Sequence, residues 1–320
     1  MADTLYFIIP CYKEEECLAE TAARLLVKLE RLVLDGKISD GSRIIFVNDG
    51  STDNTWQIIQ DLHENDNHFG GINLSRNRGH QNALLAGLMT VTEMADFTIS
   101  MDADLQDDIN AVDKMIDLYN QGRDIVYGVR NKREKDTFFK RFTALQFYKM
   151  LDMLGVQIVF NHADYRLMSR RALLGLAEYQ EVNLFLRGLI PMIGYPSATV
   201  YYERGERFAG ETKYPLRRML ALALEGITSL SIRPIRIISI VGFLSFLASL
   251  VMLIWFFIAW LAGGTVSGWA STIVSIWAIG GLQLLAIGII GEYIGKIYLE
   301  VKARPRFIVE KVLIDKANTP

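Results

Sequence analysis

The first two-thirds of the chain alternates between short apolar runs and longer segments with apolar residues at helical spacing. "LYFIIP" reads as a strand and "CLAETAARLLVKLERLVL" as an amphipathic helix, followed by the strand "SRIIFVND" and the helix "DNTWQIIQDLHE". The strand "FGGINLS" and the helix "HQNALLAGLMTVTE" come next, then "DFTISMD", "INAVDKMIDLYNQ" and "DIVYGVR" as strand, helix and strand. Such alternation, with continuous apolar strands, predicts an α/β domain with a parallel, doubly wound sheet and helices on both faces. Ligands of these sheets bind beyond the carboxyl ends of the strands. "PCYKEE", "NDGSTD", "SRNRGHQ" and "DADLQDD" follow the first four strands, so all four polar clusters are expected to face one crevice.

The pattern changes in the last third. No charged residue occurs from Ile237 to Leu261, or from Trp269 to Gly291. Each run exceeds the roughly 20 apolar residues that a helix needs to cross a bilayer. The glycine-rich "AGGTVSG" between them suits a tight helical hairpin. Buried core helices are the alternative, but such helices seldom run this long without a polar face. Arg233 and Arg236 precede the first run, and Lys296, Lys302, Arg304 and Arg306 follow the second. The bias of basic residues toward the cytoplasmic side puts both flanks there. The expected organisation is a cytosolic domain over 1–213 and a juxtamembrane amphipathic segment over 214–234. Two transmembrane helices (about 235–261 and 269–291) then fill 235–292, and a cytoplasmic tail occupies 293–320.

Composition agrees with a tethered domain. The 320 residues are 51% hydrophobic, and the mean hydropathy of +0.19 is high for a purely soluble chain. The formal net charge is -2, and no nucleic-acid partner is expected. Cys11 and Cys17 flank one strand–helix junction and suggest free thiols in a reducing compartment rather than a disulfide framework. "MADTLYFIIP" lacks the basic start and the long apolar run of a signal peptide, so the N-terminal part is expected to stay in the cytosol.

Asp102 and Asp104 carry the sharpest chemical signal. Residues i and i+2 of an extended segment point the same way, so both carboxylates can face one side. Such hard oxygen ligands suit Mg²⁺ or Mn²⁺, whose remaining positions go to water and to phosphates. The bland alternative is a solvated acidic turn; Asp107 and Asp108 read instead as the opening of the next helix. Pro10, Tyr12 and Glu14 offer an aromatic and acidic wall for a base and ribose, and Asp49 stands at a strand end before the flexible Gly50. Arg76 and His80 supply donors for a phosphate or base, with His80 read as a packing or supporting group rather than a metal ligand. Basic residues interleave with aromatics in "YGVRNKREKDTFFKRF" and "YYERGERFAGETKYPLRRM", as expected near a membrane surface. Arg130, Arg133 and Lys213 are the candidates there for the phosphate of a lipid acceptor, with a general surface patch as the alternative. Asp164, in "HADYRLMSR", is either a site residue or a structural acid paired with Arg166.

Taken in order, "IIPCYKEEE", "VNDGSTDNT", "LSRNRGHQNALLAG", "DADLQDD", "GVRNKRE", "ADYRLMSR" and "RFAGETKYPLRRM", with two terminal spans, resemble a family 2 glycosyltransferase. The resemblance is to the polyisoprenyl-phosphate branch, which holds bactoprenol glucosyltransferases and dolichol-phosphate mannose synthases. It implies a GT-A fold (Rossmann-like, doubly wound) followed by a two-helix transmembrane hairpin, in the plasma membrane with both termini cytoplasmic. It further implies inverting transfer of a hexose from a nucleoside diphosphate sugar to a polyprenyl phosphate, with UDP-glucose as first donor. GDP-mannose, UDP-N-acetylglucosamine and a catalytically silent scaffold are the alternatives. On this basis Asp102 and Asp104 hold the metal, Asp104 and Asp164 are catalytic, Arg207 joins the acceptor-phosphate set, and a homo-oligomer is expected. "RNRGHQ" departs from the family's usual "RNFG", with Arg78 in place of an aromatic. The Q-x-x-R-W motif of processive polysaccharide synthases is missing from the sequence.

Overall fold

The computed structural model describes residues 2–130, 162–203, 205, 228–229, 231–261 and 268–314. The chain divides into two compact units, one of residues 1–148, 157–215 and 304–320, the other of residues 149–156 and 216–303.

The first unit follows the predicted alternation: β1 (Leu5–Cys11), α1 (Leu18–Leu34), β2 (Arg43–Asn48), α2 (Thr55–Asn65), β3 (Phe69–Leu74) and α3 (His80–Val91). After these come β4 (Phe97–Ser100), α4 (Ala111–Asn120), β5 (Ile125–Arg130), β6 (His162–Ser169), α5 (Arg170–Ala177), α6 (Leu186–Met192) and β7 (Ser197–Tyr202). One sheet takes all of these strands, and an eighth from the far end of the chain, β8 (Val309–Leu313), in the order β7-β5-β6-β4-β1-β2-β3-β8.

The expectation of a parallel sheet holds for six of the eight strands, including the edge pair β5 and β7, and fails at β6 and β8. β4, β1, β2 and β3 are parallel neighbours, whereas β6 runs antiparallel between β4 and β5. Tyr165 and Leu167 join the main core, and the intervening Arg166 is also fully buried. Running backwards, β6 delivers its first residues to the carboxyl end of β4, where a parallel strand would have delivered its last.

Helices cover both faces, as patterning predicted. Leu5, Phe7 and Ile9 of β1 pack with Leu18, Leu25 and Leu29 of α1, Ile59 of α2, and Val112 and Met115 of α4 in one cluster. The opposite face of β1 meets α3. There Gly87 lies so close to the sheet that a Cβ would stand 2.5 Å from Ile8 Cγ2 and 2.7 Å from Val47 Cγ2. This close approach fixes the start of α3, and therefore His80, against the ends of β1 and β2.

β8 (Val309–Leu313) was not legible in the sequence, which suggested only a tail there. It pairs antiparallel with β3, from Gly71 opposite Leu313 to Leu74 opposite Val309. The strand has two exposed charges, Glu310 and Lys311, in five residues, too little apolar periodicity to stand out.

The second unit contains α7 (Arg233–Leu261) and α8 (Trp269–Lys302). Both are long and apolar enough to cross a membrane, with mean hydropathy of 2.2 over Arg233–Met252 and 1.5 over Ala278–Lys302. Ile240, Phe243, Val251, Leu284 and Val301 all lie exposed on them. Tyr293 Oη donates to the carbonyl of Ser231 at 2.5 Å and Lys296 Nζ to Ser229 Oγ at 2.7 Å, joining the end of α8 to the start of α7.

Candidate functional site

Because β1 to β4 are parallel, the four polar loops leave the sheet at one edge, and hydrogen bonds tie them together. The loop after β1 is clasped to the one after β2: the Lys13 amide donates to Ser51 Oγ at 3.0 Å and the Glu14 amide to Thr55 Oγ1 at 3.0 Å. Tyr12 remains 44% exposed at the lip. Pro10 is a buried residue of β1 opposite Val47, so it is part of the sheet beneath the loop. The Glu14 carboxylate accepts from Cys17 Sγ at 3.0 Å. Burial and that carboxylate push the Cys17 thiol up to about 12, so it stays protonated. Cys11 and Cys17 are free and buried, in line with the expected inert thiols.

Asp49 organises the next two loops. Its carboxylate is buried, and it accepts from the backbone amides of Arg78 at 2.7 Å and Gly79 at 2.9 Å. Burial pushes the Asp49 carboxyl up, with the two amides and His80 opposing. The adjoining Gly50, at φ +62°, comes so near that a Cβ would lie 2.5 Å from the Arg76 carbonyl carbon and the Asn77 nitrogen. Only glycine fits that approach at that backbone angle. The Arg76 side chain is exposed beside it.

The fourth loop meets β6. Ser100 pairs with Arg166 in the β4–β6 ladder, and the Ser100 hydroxyl donates to the Asp164 carbonyl at 2.7 Å, which brings Asp164 to the end of β4, just before Asp102. His80, at the start of α3, lies between them, with Nε2 at 3.5 Å from Asp102 Oδ1 and 3.5 Å from Asp164 Oδ2. Arg166 pairs with Asp164 Oδ1, while Arg187 of α6 pairs with Asp164 through Nη2 at 3.0 Å and Nε at 3.3 Å. Four elements distant in sequence thus meet at two carboxylates.

The two acids differ in their electrostatics. Burial would push Asp164 up, but His80, Arg187 and Arg166 outweigh it and hold the carboxyl well below the usual carboxylate range. Among the described residues, the cationic group within ion-pair distance of Asp102 is His80. Desolvation raises Asp102 to about 6, opposed by His80 and reinforced by the negative charges of Asp107, Asp164 and Asp104. Desolvation alone would lower His80; Asp164 and Asp102 overcome it, and its pKa is raised. Asp164 is therefore a settled anion, and Asp102 is an acid short of positive charge.

Asp104 accepts from the Gln106 amide at 3.2 Å. Among the described residues no three of His, Cys, Asp and Glu gather closely enough to hold a metal by themselves. One or two carboxylates with phosphate oxygens completing the shell is, however, the usual manner of Mg²⁺ binding. The charge deficit at Asp102 fits an arriving cation.

Asp107 and Asp108 part company. The helix begins at Ala111, and Asp108 Oδ1 accepts from the Asn110 amide at 2.9 Å, a turn just before it. Asp107 does not open the helix as expected but is 3% exposed, with Oδ1 accepting from Tyr202 Oη and from Arg130 Nη2 at 3.4 Å. The Arg130 assigned to an acceptor phosphate is thus placed at a buried aspartate. It also donates through Nε to Tyr202 Oη at 3.2 Å. Arg133, Arg207 and Lys213 lie outside the described residues.

Arg187 and Tyr202 were missed by sequence reasoning. Arg187 had one visible signal, a lone charge within the apolar "NLFLRGLI". Tyr202 had none, since an aromatic at a strand end is commonplace.

Comparison with known proteins identifies the family. Residues 6–175 match the family model of glycosyl transferase family 2. An uncharacterized glycosyltransferase of Bacillus subtilis (strain 168), YkoT, is 49% identical over 316 residues, 99% of this chain and 94% of that one. The bactoprenol glucosyl transferase of Shigella phage SfX is 38% identical over 305 residues, 95% of this chain and 97% of that one. A prophage bactoprenol glucosyl transferase homolog of Escherichia coli (strain K12) is 36% identical over 307 residues, 95% and 98% of the two chains. Solved structures are more distant: glucosyl-3-phosphoglycerate synthase of Mycobacterium tuberculosis reaches a TM-score of 0.44, with 18% identity over 71% of this chain and 77% of that one. With its model matched over more than half the length and its relatives aligned nearly end to end, the chain belongs to glycosyl transferase family 2, and it is a glycosyltransferase with a GT-A, Rossmann-like α/β fold.

Proposed function

We propose that this chain is an inverting glycosyltransferase held in the plasma membrane by α7 and α8. It moves a hexose, glucose first, from a uridine diphosphate sugar to a polyprenyl phosphate such as undecaprenyl phosphate, and releases the nucleoside diphosphate. The observation that carries this reading is the similarity to the bactoprenol glucosyl transferase of phage SfX, which extends over 95% of the chain and so includes both apolar helices. β8 supports the hairpin. A strand laid in the same sheet as β3 fits an even number of crossings between them, the topology proposed here.

Pro10, Tyr12, Glu14, Asp49, Arg76, His80, Asp102 and Asp104 are proposed to receive the sugar nucleotide. Asp102 and Asp104 would hold Mg²⁺ or Mn²⁺, which when bound offsets negative charge on the diphosphate leaving group. The acceptor needs little help to become a nucleophile, because a phosphomonoester with a second pKa of about 6 is mostly ionised at neutral pH. A strong base is correspondingly unnecessary. Asp164, neutralised by two arginines and held far below the neutral range, is suited to orienting His80 and the floor of the site rather than to taking a proton. Arg130, Arg133, Arg207 and Lys213 are proposed to draw a charged acceptor toward a charged donor, and a homo-oligomer remains the expected assembly.

The test is one assay of the purified full chain with undecaprenyl phosphate and Mg²⁺ or Mn²⁺ across a panel of sugar nucleotides. Lipid-dependent release of UDP from UDP-glucose alone is expected. Turnover with GDP-mannose or UDP-N-acetylglucosamine instead would correct the donor, and release without lipid would overturn the acceptor.

A further inference from the structure

The segment that follows α8 in the chain returns to the sheet beside the loops proposed to bind the donor, and it makes two sets of contacts there. The first is a chain of hydrogen bonds along the carboxyl ends of β2 and β3 and the amino end of β8. Glu310 Oε2 on β8 accepts from Asn73 Nδ2 on β3 at 2.9 Å, and Asn73 Oδ1 accepts from Asn48 Nδ2 on β2 at 2.7 Å. Asn48 Oδ1 then accepts from the backbone amide of Ser51 at 3.3 Å, and Ser51 Oγ from that of Lys13 at 3.0 Å. The second set is direct. The Ser75 amide donates to the Ile308 carbonyl at 3.0 Å, and Arg78 Nη2 to the Pro305 carbonyl at 3.4 Å. Arg306 Nη1 anchors the same stretch to the Tyr179 carbonyl at 2.9 Å.

The first chain has a direction, and Glu310 sets it. An ionised carboxylate only accepts, so Asn73 must turn its NH₂ toward Glu310 and its oxygen toward Asn48. Asn48 must then present its oxygen to Ser51. A donor in place of Glu310 reverses both amides and leaves an NH₂ facing the Ser51 N–H, two donors with no acceptor between them. The β3–β8 register shifts between Asn73 and Leu74, which singles out the stretch where this contact is made.

We infer that residues 305–310 form a clamp that sets the position of the donor loops at 12–14, 49–51 and 75–79 from outside the crevice, with Glu310 as its positioning residue. The inference rests on the proposed reading of those loops as the sugar-nucleotide site. It gives the strand after the second apolar helix a task beyond closing a sheet edge: donor affinity depends on how the chain leaves its hairpin.

The test uses the full chain in detergent, with UDP-glucose and undecaprenyl phosphate as probes, and three variants of the exposed Glu310. Glu310→Gln can still present an oxygen to Asn73 and is expected to match the wild type. Glu310→Ala loses one hydrogen bond and should raise the KM for UDP-glucose about three- to tenfold. Glu310→Lys should raise it further, with kcat and the KM for the lipid within about twofold in each case. A strand that merely stabilises the sheet would not produce this ordering, because all three substitutions leave the β3–β8 ladder intact. Amide hydrogen exchange of the ligand-free protein gives an independent readout: Ser51 and Lys13 should exchange faster in the same order. Equal exchange in all variants, or a changed lipid KM with an unchanged donor KM, overturns the clamp. Failure of the donor reading would look different. The wild type would then release no nucleoside diphosphate from any sugar nucleotide, and the exchange ordering would still decide the clamp.

Discussion

At the residue scale, Asp102 and Asp164 show how one side chain acquires two characters a few ångströms apart. Asp164 arrives on β6 beside Arg166 and within reach of Arg187, and is neutralised before any ligand enters. Asp102 shares His80 with it and faces the further negative charge of Asp104 and Asp107. Removing the Asp102 charge therefore relieves crowding in the ligand-free protein, so Asp102→Asn is expected to fold with undiminished thermal stability. Sugar transfer by Asp102→Asn or Asp104→Asn should nevertheless fall on the order of a hundredfold or more. Mg²⁺ or Mn²⁺ should raise the melting temperature of the wild type but not of Asp102→Asn. Wild-type turnover by both variants would remove these acids from the donor site. The pair Asp102 and Asp104 was legible because two acids two residues apart at a strand end share a side. Arg187 was not, because nothing local links residue 187 to residue 164.

At the element scale, the site depends on how closely α3 and the helices of the opposite face press on the sheet. Gly87→Ala would gain about 1 kcal/mol in helix propensity. The new Cβ, however, would lie 2.5 Å from a branched Ile8 methyl that has no room to swing away. Overpacking of this kind costs about 1–3 kcal/mol, so a net loss and a fall of a few degrees in melting temperature are expected. An unchanged or higher melting temperature would show that α3 can lift from β1 freely. On the other face, α1 and α4 are joined where Lys28 and Lys37 meet Asp113, the latter contact at 3.1 Å. Desolvation would push Asp113 up, but the two lysines prevail and its pKa is lowered. An acid depressed in the folded state stabilises above its unfolded value of about 3.9. That contribution disappears as pH falls through the folded value. Asp113→Asn should flatten the acid limb of a stability–pH curve below about pH 4 and change little of its shape at neutral pH; an identical acid limb would show that the pair contributes nothing.

For the whole molecule, the order of elements along the chain makes a statement about topology. Residues 309–313 lie in the sheet begun at residue 5, although two helices long enough to span a bilayer intervene. Single cysteines offer a direct check, since both native thiols are buried and slow to react. Thr265→Cys, in the sequence between the two helices, should react with a membrane-impermeant maleimide in intact cells. Lys311→Cys should react only after permeabilisation. The reverse pattern would contradict the proposed orientation.

The sequence by itself determined the strand–helix alternation, the two apolar helices and the edge on which the polar loops fall. Each follows from short-range periodicity: helical or alternating spacing of apolar residues, glycine and aspartate at strand ends, and long stretches without charge. Tertiary structure alone decided the backward course of β6, the pairing of Arg187 with Asp164, the burial of Asp107 against Arg130 and Tyr202, and the attachment of β8 to β3. These are pairings between residues 23 to 95 positions apart in the site and more than two hundred apart at β8. No local pattern encodes them, because a buried charge or an open sheet edge finds its partner only once the layers have closed. "DADLQDD" announced an acidic site, and the fold then gave Asp102 to the crevice and Asp107 to the core.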